Sequence, residues 1–234
     1  MATRARRPQR RTEALSRERI VETAVELLDA SGEGGLTFRA LSERLATGPG
    51  AIYWHVANKG ELLAAATDAV VASAIEPGGS PGSPRDVIRA VALGLFDAID
   101  AHPWLGARLA TQLSRSPGTS VAPRIFERVG RQVQALGVPE DGWFTATSAL
   151  VHYILGAAGQ NAANAATGRA LGPDMDRTAF LDAVSTTWEA LDPGDYPFAR
   201  AVAAHMRDHD DRAQFLDGLA LILTGIAGTH LPPA

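Results

Sequence analysis

Proline and glycine fall along this chain at intervals suited to helix ends, and between them apolar residues keep a three-to-four spacing. No stretch alternates apolar and polar residues well enough to supply a set of strands. Val, Ile and Thr are not clustered, whereas the good helix formers Ala and Leu are abundant. The pattern predicts an all-α protein without internal repeats. With 234 residues, 46% of them apolar, the chain is long enough for a substantial core. The absence of cysteine excludes disulfides, thiolate zinc sites, iron–sulfur clusters and cysteine nucleophiles. No apolar run reaches the ~18 residues of a membrane span. The basic N-terminus lacks the apolar segment of a secretory signal, so a cytoplasmic protein without membrane contact is expected.

The net charge of −4 hides an asymmetry. Residues 1–60 carry a balance of +3 and residues 61–234 a balance of −7. Arg4, Arg6, Arg7, Arg10 and Arg11 stand in the first eleven residues with no acid among them. A basic head on an acidic body suggests that only the head meets a polyanion; the alternative is a solvated tail.

Residues 1–15 read as a flexible arm. Ser16 can cap a helix to about Ala30 with Ile20, Ala24, Leu27 and Leu28 on one face, ended by Gly32, Gly34 and Gly35. Thr37 caps a short helix carrying Phe38, Leu41 and Leu45. After a break at Ala46–Gly48, Pro49 takes the first turn of another short helix through Tyr53 and Trp54. Asn58 and Glu61 have capping-box spacing and open a helix over about 59–75. The run from Pro77 to Pro84 is the clearest linker or loop. Beyond it the spacing predicts helices at about 84–100, 103–115, 121–136, 140–167, 175–191, 197–207 and 210–227. The last is apolar around most of its circumference and should be buried, in a core or against another chain.

The second and third short helices have the spacing of a helix-turn-helix, whose last helix enters the major groove. Tyr53, Trp54 and His55 carry polar atoms able to reach phosphates, and Lys59 begins the next helix, where its dipole also favours an anion. Packing in the small domain's core is the alternative for Tyr53, an inconsequential surface position that for His55. At Gly35-Leu-Thr-Phe-Arg-Ala-Leu-Ser-Glu-Arg-Leu-Ala, Ala51-Ile-Tyr-Trp-His-Val and Asn58-Lys-Gly-Glu-Leu-Leu the chain resembles the TetR family of transcription regulators. The resemblance spans roughly residues 17–65. It implies a homodimer whose paired helix-turn-helix domains (16–60) bind a palindromic operator in double-stranded DNA. It also implies a helical domain (61–234) that dimerises and binds a small-molecule inducer.

Carried over by residue, Thr37 should cap the second helix and touch phosphate, and Arg39 should reach a base edge or the backbone. Thr47 should lie in the turn, and Tyr53, Trp54, His55 and Lys59 should clamp the operator backbone. The positions that usually read bases are here Gly48, Pro49, Gly50 and Ala51, none with a hydrogen-bonding side chain. Specificity should then rest on Arg39, on the Ala51 methyl against thymine methyls, and on DNA shape. The Arg4–Arg11 arm should add minor-groove contacts.

In the body the resemblance is fainter. It lies at Ala149–Gln160 and Phe215–Leu223, two helices that in the tetracycline-repressor type of C-terminal domain pair with their copies as a four-helix bundle. Intrachain core is the alternative. Tyr153, Ala157, Gln160 and Asn164 share a helical face flanked by His152 and Asn161. Buried amides need partners, and lining an inducer pocket would supply them; an interface or solvent would also do so. Aromatics among Phe96, His102, Trp104, Trp143, Phe144 and Trp188 would complete its wall. The ligand-binding residues expected are therefore His102, Trp104, His152, Tyr153, Gln160 and Asn164. Gln160 falls where that type has a metal-assisting carboxylate and Ala110 near its metal-binding histidine, so an uncharged, partly aromatic ligand is expected, with no metal or other cofactor. His205 and His209 stand at i and i+4, a weak zinc signal in a polar turn.

These readings converge on a ligand-responsive homodimeric repressor released from its operator by a small-molecule inducer. The alternative is a helical enzyme or small-molecule-binding protein with a vestigial DNA-binding head. No Gly-rich phosphate loop, G-x-S-x-G elbow or H-E-x-x-H motif supports catalysis, and no catalytic residue is assigned.

Overall fold

The computed structural model describes residues 15–76, 82–115, 121–170, 177–207 and 209–230. The expected arm through Arg11, the Pro77–Pro81 part of the linker and the Gly172-Pro173 break lie outside them. Among the described residues every regular element is a helix. The chain divides into two compact units after Ala66, a little beyond the 16–60 domain read from the sequence.

The first unit holds α1 (Arg17–Gly35), α2 (Phe38–Leu45), α3 (Pro49–Tyr53) and the start of α4 (Lys59–Ala74). Ser16 caps α1 by accepting from the Arg19 N–H at 3.2 Å. The glycine run bends the helix rather than simply ending it. Gly32 takes φ 61°, a conformation open to glycine, and one more turn follows to Gly35. Ile20, Ala24, Leu28, Leu36, Leu41, Ile52 and Val56 close the core. Burial at this helical spacing is what holds such short helices, which are not stable alone.

The second unit holds the rest of α4 with α5 (Pro84–Ala101), α6 (Pro103–Arg115), α7 (Val121–Ala135) and the long α8 (Glu140–Ala170). It continues through α9 (Arg177–Glu189), α10 (Pro197–Val202) and α11 (Asp211–His230). Ser83 and Asp86 form a reciprocal capping box at the start of α5, with Pro84 at its first position. The central α8 packs against α5, α6, α7 and α11. Ile88, Val91, Leu95 and Ile99 meet Leu150, Ile154 and Ala158 and the α7 row Ile125, Val129 and Val133 in this core. Two glycines allow close approaches: a Cβ at Gly94 would overlap the Ala74 carbonyl oxygen, and one at Gly218 the Tyr153 hydroxyl.

The helix expected over 197–207 is interrupted. It ends at Val202 and tightens into a 3-10 turn, Ala203–Met206. The fully buried Ser185 hydroxyl donates to the Ala203 carbonyl at 2.8 Å, which ties this turn to α9. Arg207 adds bonds to Asp182 and a forked pair to Glu189. The last helix is not buried all round in the single chain. Phe215, Leu219, Leu223 and Ile226 are buried, but Leu221 is 74% exposed. Among the described residues no helix is long and apolar enough to cross a membrane.

Candidate nucleic-acid interface and ligand cavity

Thr37 caps α2 through its hydroxyl oxygen, which accepts from the Ala40 N–H at 3.1 Å. The hydroxyl proton stays available at the exposed end of the helix. Arg39 follows on the outer face, its side chain 90% exposed, with only Nε engaged by Glu43 at 2.9 Å. Ala46 then turns the chain with φ 50°, a left-handed helix cap that an alanine adopts at a cost, and the Thr47 N–H returns to the Ser42 carbonyl. Gly48 caps α3 without a side chain and Pro49 starts it. Open space surrounds Gly48 and Gly50. Nothing inside the unit demands glycine there; their effect is to leave the start of α3 bare.

At the other end of α3, Tyr53 is 52% exposed and its ring stacks on Phe38, centroids 4.4 Å apart. The alternatives left open for Tyr53 thus coincide: one ring face packs on α2 and the rest meets solvent. Trp54 is 90% exposed. The His55 carbonyl and the Glu61 carboxylate both accept from Arg17, at 2.7 and 2.8 Å. The other Glu61 oxygen accepts from the Ala57 N–H, and the Asn58 side chain accepts from the Glu61 N–H. This differs from the expected capping box by one residue, because the carboxylate reaches Ala57 rather than Asn58. The Ala57 N–H and then Arg17 hold the Glu61 carboxyl below its ordinary pKa. Lys59 donates to the Glu33 carbonyl at 2.5 Å, so its ammonium is positioned at the head of α4 with two protons left. Nothing in the spacing signals Arg17 or Phe38 as supports for this surface; they are recognised only once α1 and α2 are placed.

In the second unit a cavity of about 390 Å³ lies among α5, α8, α9 and the start of α11. Phe96, Ala158, Ala162 and Ala165 form its apolar wall. Its rim carries Asp100, Arg177, His209, Asp210, Asp211 and Arg212, with Asn161 between wall and rim. Arg177 pairs with Asp211 at 2.7 Å, and His209 Nε2 lies 3.0 Å from the same carboxylate. Arg212 pairs with Asp97. Asp210 caps α11 by accepting from the Ala213 N–H, which together with the Arg212 N–H lowers its pKa.

Residues 77–229 match the family described as "Tetracyclin repressor-like, C-terminal domain", and residues 20–66 match "Bacterial regulatory proteins, tetR family". The chain belongs to the TetR family. It is 33% identical over 142 residues to an HTH-type transcriptional regulator of Saccharopolyspora erythraea, covering 61% of this chain and 59% of that protein. The chain therefore spans under two thirds of that relative's length. The solved structure of SCO7222, a TetR regulator of Streptomyces coelicolor, is 67% identical and superposes with a TM-score of 0.84 over 92% of this chain and 99% of that one. The Streptomyces coelicolor TetR family protein ActR, solved in complex with (S)-DNPA, is 25% identical with a TM-score of 0.70, over 92% and 98%.

Within this TetR architecture, Thr37, Arg39, Thr47, Gly48, Pro49, Gly50, Ala51, Tyr53, Trp54, His55 and Lys59 gather along α2, α3 and the start of α4. The six residues expected at the ligand do not gather at the cavity described. His152, Gln160 and Asn164 are exposed on α8, and Gln160 donates to Asn164 at 2.9 Å, so these amides satisfy each other. The Tyr153 hydroxyl donates to the Phe215 carbonyl at 2.9 Å, tying α8 to α11. Trp104 is buried and 6.0 Å from the half-buried His102 ring. Of the flanking candidates, Asn161 and Phe96 do line the cavity. The lining groups Asp100 and Arg177 carried no sequence signal, because they come from separate helices. His205 sits in the 3-10 turn and His209 beyond it, so helical i, i+4 geometry does not apply to them. Among the described residues no group of three or more His, Asp or Glu could hold a metal ion.

Proposed function

We propose that this chain is a homodimeric, ligand-responsive transcriptional repressor of the cytoplasm, without catalytic activity. The observation that carries the reading is the exposed row Thr37, Arg39, Tyr53 and Trp54 on α2 and α3, in a domain that matches the TetR DNA-binding family. Thr37, Tyr53, Trp54, His55 and Lys59 contact operator phosphates, which set position and affinity. Arg39 and the Ala51 methyl contact base edges. The bare Gly48–Gly50 segment lets backbone approach the groove, so sequence preference comes largely from DNA shape.

Two copies meet through α8 and α11. The exposed Leu221 and the open space beside Gly156, Gly159, Gly225 and Gly228 support this, since small residues admit close helix approach. A small-molecule inducer binds in the second unit and weakens operator affinity. The unit boundary falls inside α4. The first half of α4 carries Lys59 and Glu61; the second carries Asp68, paired with Arg124 of α7, and Ala74, against Gly94 of α5. Ligand-dependent repacking around α5 and α7 thus reaches the second half of α4. A coupling of only ~1–3 kcal/mol changes operator affinity by one to two orders of magnitude.

Selection from a random double-stranded DNA pool with the full chain tests this reading. An enriched palindrome, lost on Tyr53→Ala or Lys59→Ala, is expected. Failure to enrich any sequence at low salt would sink it.

A further inference from the structure

The polar groups around the cavity among α5, α8, α9 and α11 are unequally committed. Both guanidinium groups, Arg177 and Arg212, are held in ion pairs with Asp211 and Asp97. Asp210 is spent on capping α11, and His209 lies against Asp211. Among the described residues Asp100 and Asn161 alone of the polar lining side chains have no hydrogen bond or ion pair. The lining therefore offers a ligand one free carboxylate and one free carboxamide, beside an apolar floor of Phe96, Ala158, Ala162 and Ala165. The three carboxylates of the lining also outnumber its two guanidinium groups.

The geometry points to a binding site for a small aryl or alicyclic amine, its apolar body on the Phe96–Ala162 floor and its ammonium paired with Asp100. The Asn161 amide oxygen accepts a second donor from the same ligand. An anionic ligand would have to share Arg177 with Asp211 or Arg212 with Asp97, and would face Asp100 besides. The volume of about 390 Å³ falls within the range of small-molecule sites. Effector binding by this unit belongs to the regulator reading, on which this inference rests; what it adds is the place and the sign of charge.

The test is calorimetric titration of the full chain, without DNA, with 4-phenylbutylamine, 4-phenylbutanol and 4-phenylbutanoate. The expected order is amine tighter than alcohol tighter than carboxylate, with about tenfold or more between first and last. Asp100 is exposed, so its variants should fold. Asp100→Asn should erase the amine's advantage and Asp100→Arg should invert the order. Equal or tighter binding of the carboxylate by the unsubstituted chain, an unchanged order in Asp100→Arg, or no binding of any probe at millimolar concentration would each overturn the assignment. Operator release by the amine is read separately by fluorescence anisotropy. Binding in the expected order without release keeps the site and removes its regulatory role. Release by the amine that persists unchanged in Asp100→Arg removes the site and keeps the regulator.

Discussion

The Tyr53 ring lies on the Phe38 ring with centroids 4.4 Å apart and planes 12° from parallel. The stack joins α3 to α2 at the surface, leaving the Tyr53 hydroxyl outside. It separates two functions of one side chain. Tyr53→Phe should keep the small unit's stability and weaken operator binding by about threefold to tenfold, the worth of one phosphate hydrogen bond. Phe38→Ala should instead lower stability by about 1 kcal/mol or more through the lost ring contact, and weaken binding as a consequence. Thermal unfolding and operator titration on the same samples check both. Equal effects of the two substitutions on both measurements would remove this division.

Among the described residues Arg39 is held only by Glu43, in an exposed pair one helical turn long. Such pairs contribute little to stability, so Arg39→Ala should change it by less than about 0.5 kcal/mol. Operator affinity should nevertheless fall by about 1–3 kcal/mol, with relaxed preference at one base position per half-site. Competition between the selected operator and single-base variants reads this directly.

Ala46 holds φ 50° between α2 and α3. A left-handed alanine costs roughly 1 kcal/mol relative to glycine, partly offset by glycine's freer unfolded chain. Ala46→Gly should therefore raise the small unit's stability by up to about 1 kcal/mol, visible as a higher denaturation midpoint. A lower midpoint would show that the turn relaxes without help.

Gly94 sits where α5 meets the end of α4, with no room for a Cβ beside the Ala74 carbonyl. The obstruction is backbone, so the helices must move apart. Gly94→Ala should destabilise the second unit by about 1–3 kcal/mol, as overpacking does. Denaturant unfolding of the full chain measures it.

Glu61 is held below the ordinary glutamate pKa by the Ala57 N–H and then by Arg17. A depressed carboxyl pKa contributes stability above its unfolded value, and that contribution is lost as pH falls through the folded value. The small unit should therefore weaken as pH falls below the ordinary glutamate value of about 4.5, and Glu61→Gln should weaken it at neutral pH. The difference in melting temperature between the two chains should shrink across that window. A constant difference would exclude Glu61 from the acid response.

Local physics was legible wherever it is confined to a few neighbouring residues. Ser16, Thr37, Pro49, Asn58 and Pro84 mark helix starts by their own chemistry, and the structure places a helix at each. The Gly32 bend was harder, because a run of glycines signals a break without saying whether the helix resumes. The amide row Gln160–Asn164 looked like unsatisfied polarity on an apolar helix, yet the two side chains bond each other along its exposed face. A periodicity argument ranks faces by composition and cannot tell which face the neighbouring helices cover.

The sequence by itself determined the all-α architecture, the helix-turn-helix spacing and the bare start of α3, since capping, proline and hydrophobic period act over one or two helical turns. Tertiary structure alone decided that Arg17 braces His55 and Glu61, that Phe38 carries Tyr53, and that Asp100 and Asn161 have no partner among the described residues at a cavity whose arginines are already paired. Those relationships join residues far apart along the chain. They depend on how close packing places whole helices, which no local pattern encodes.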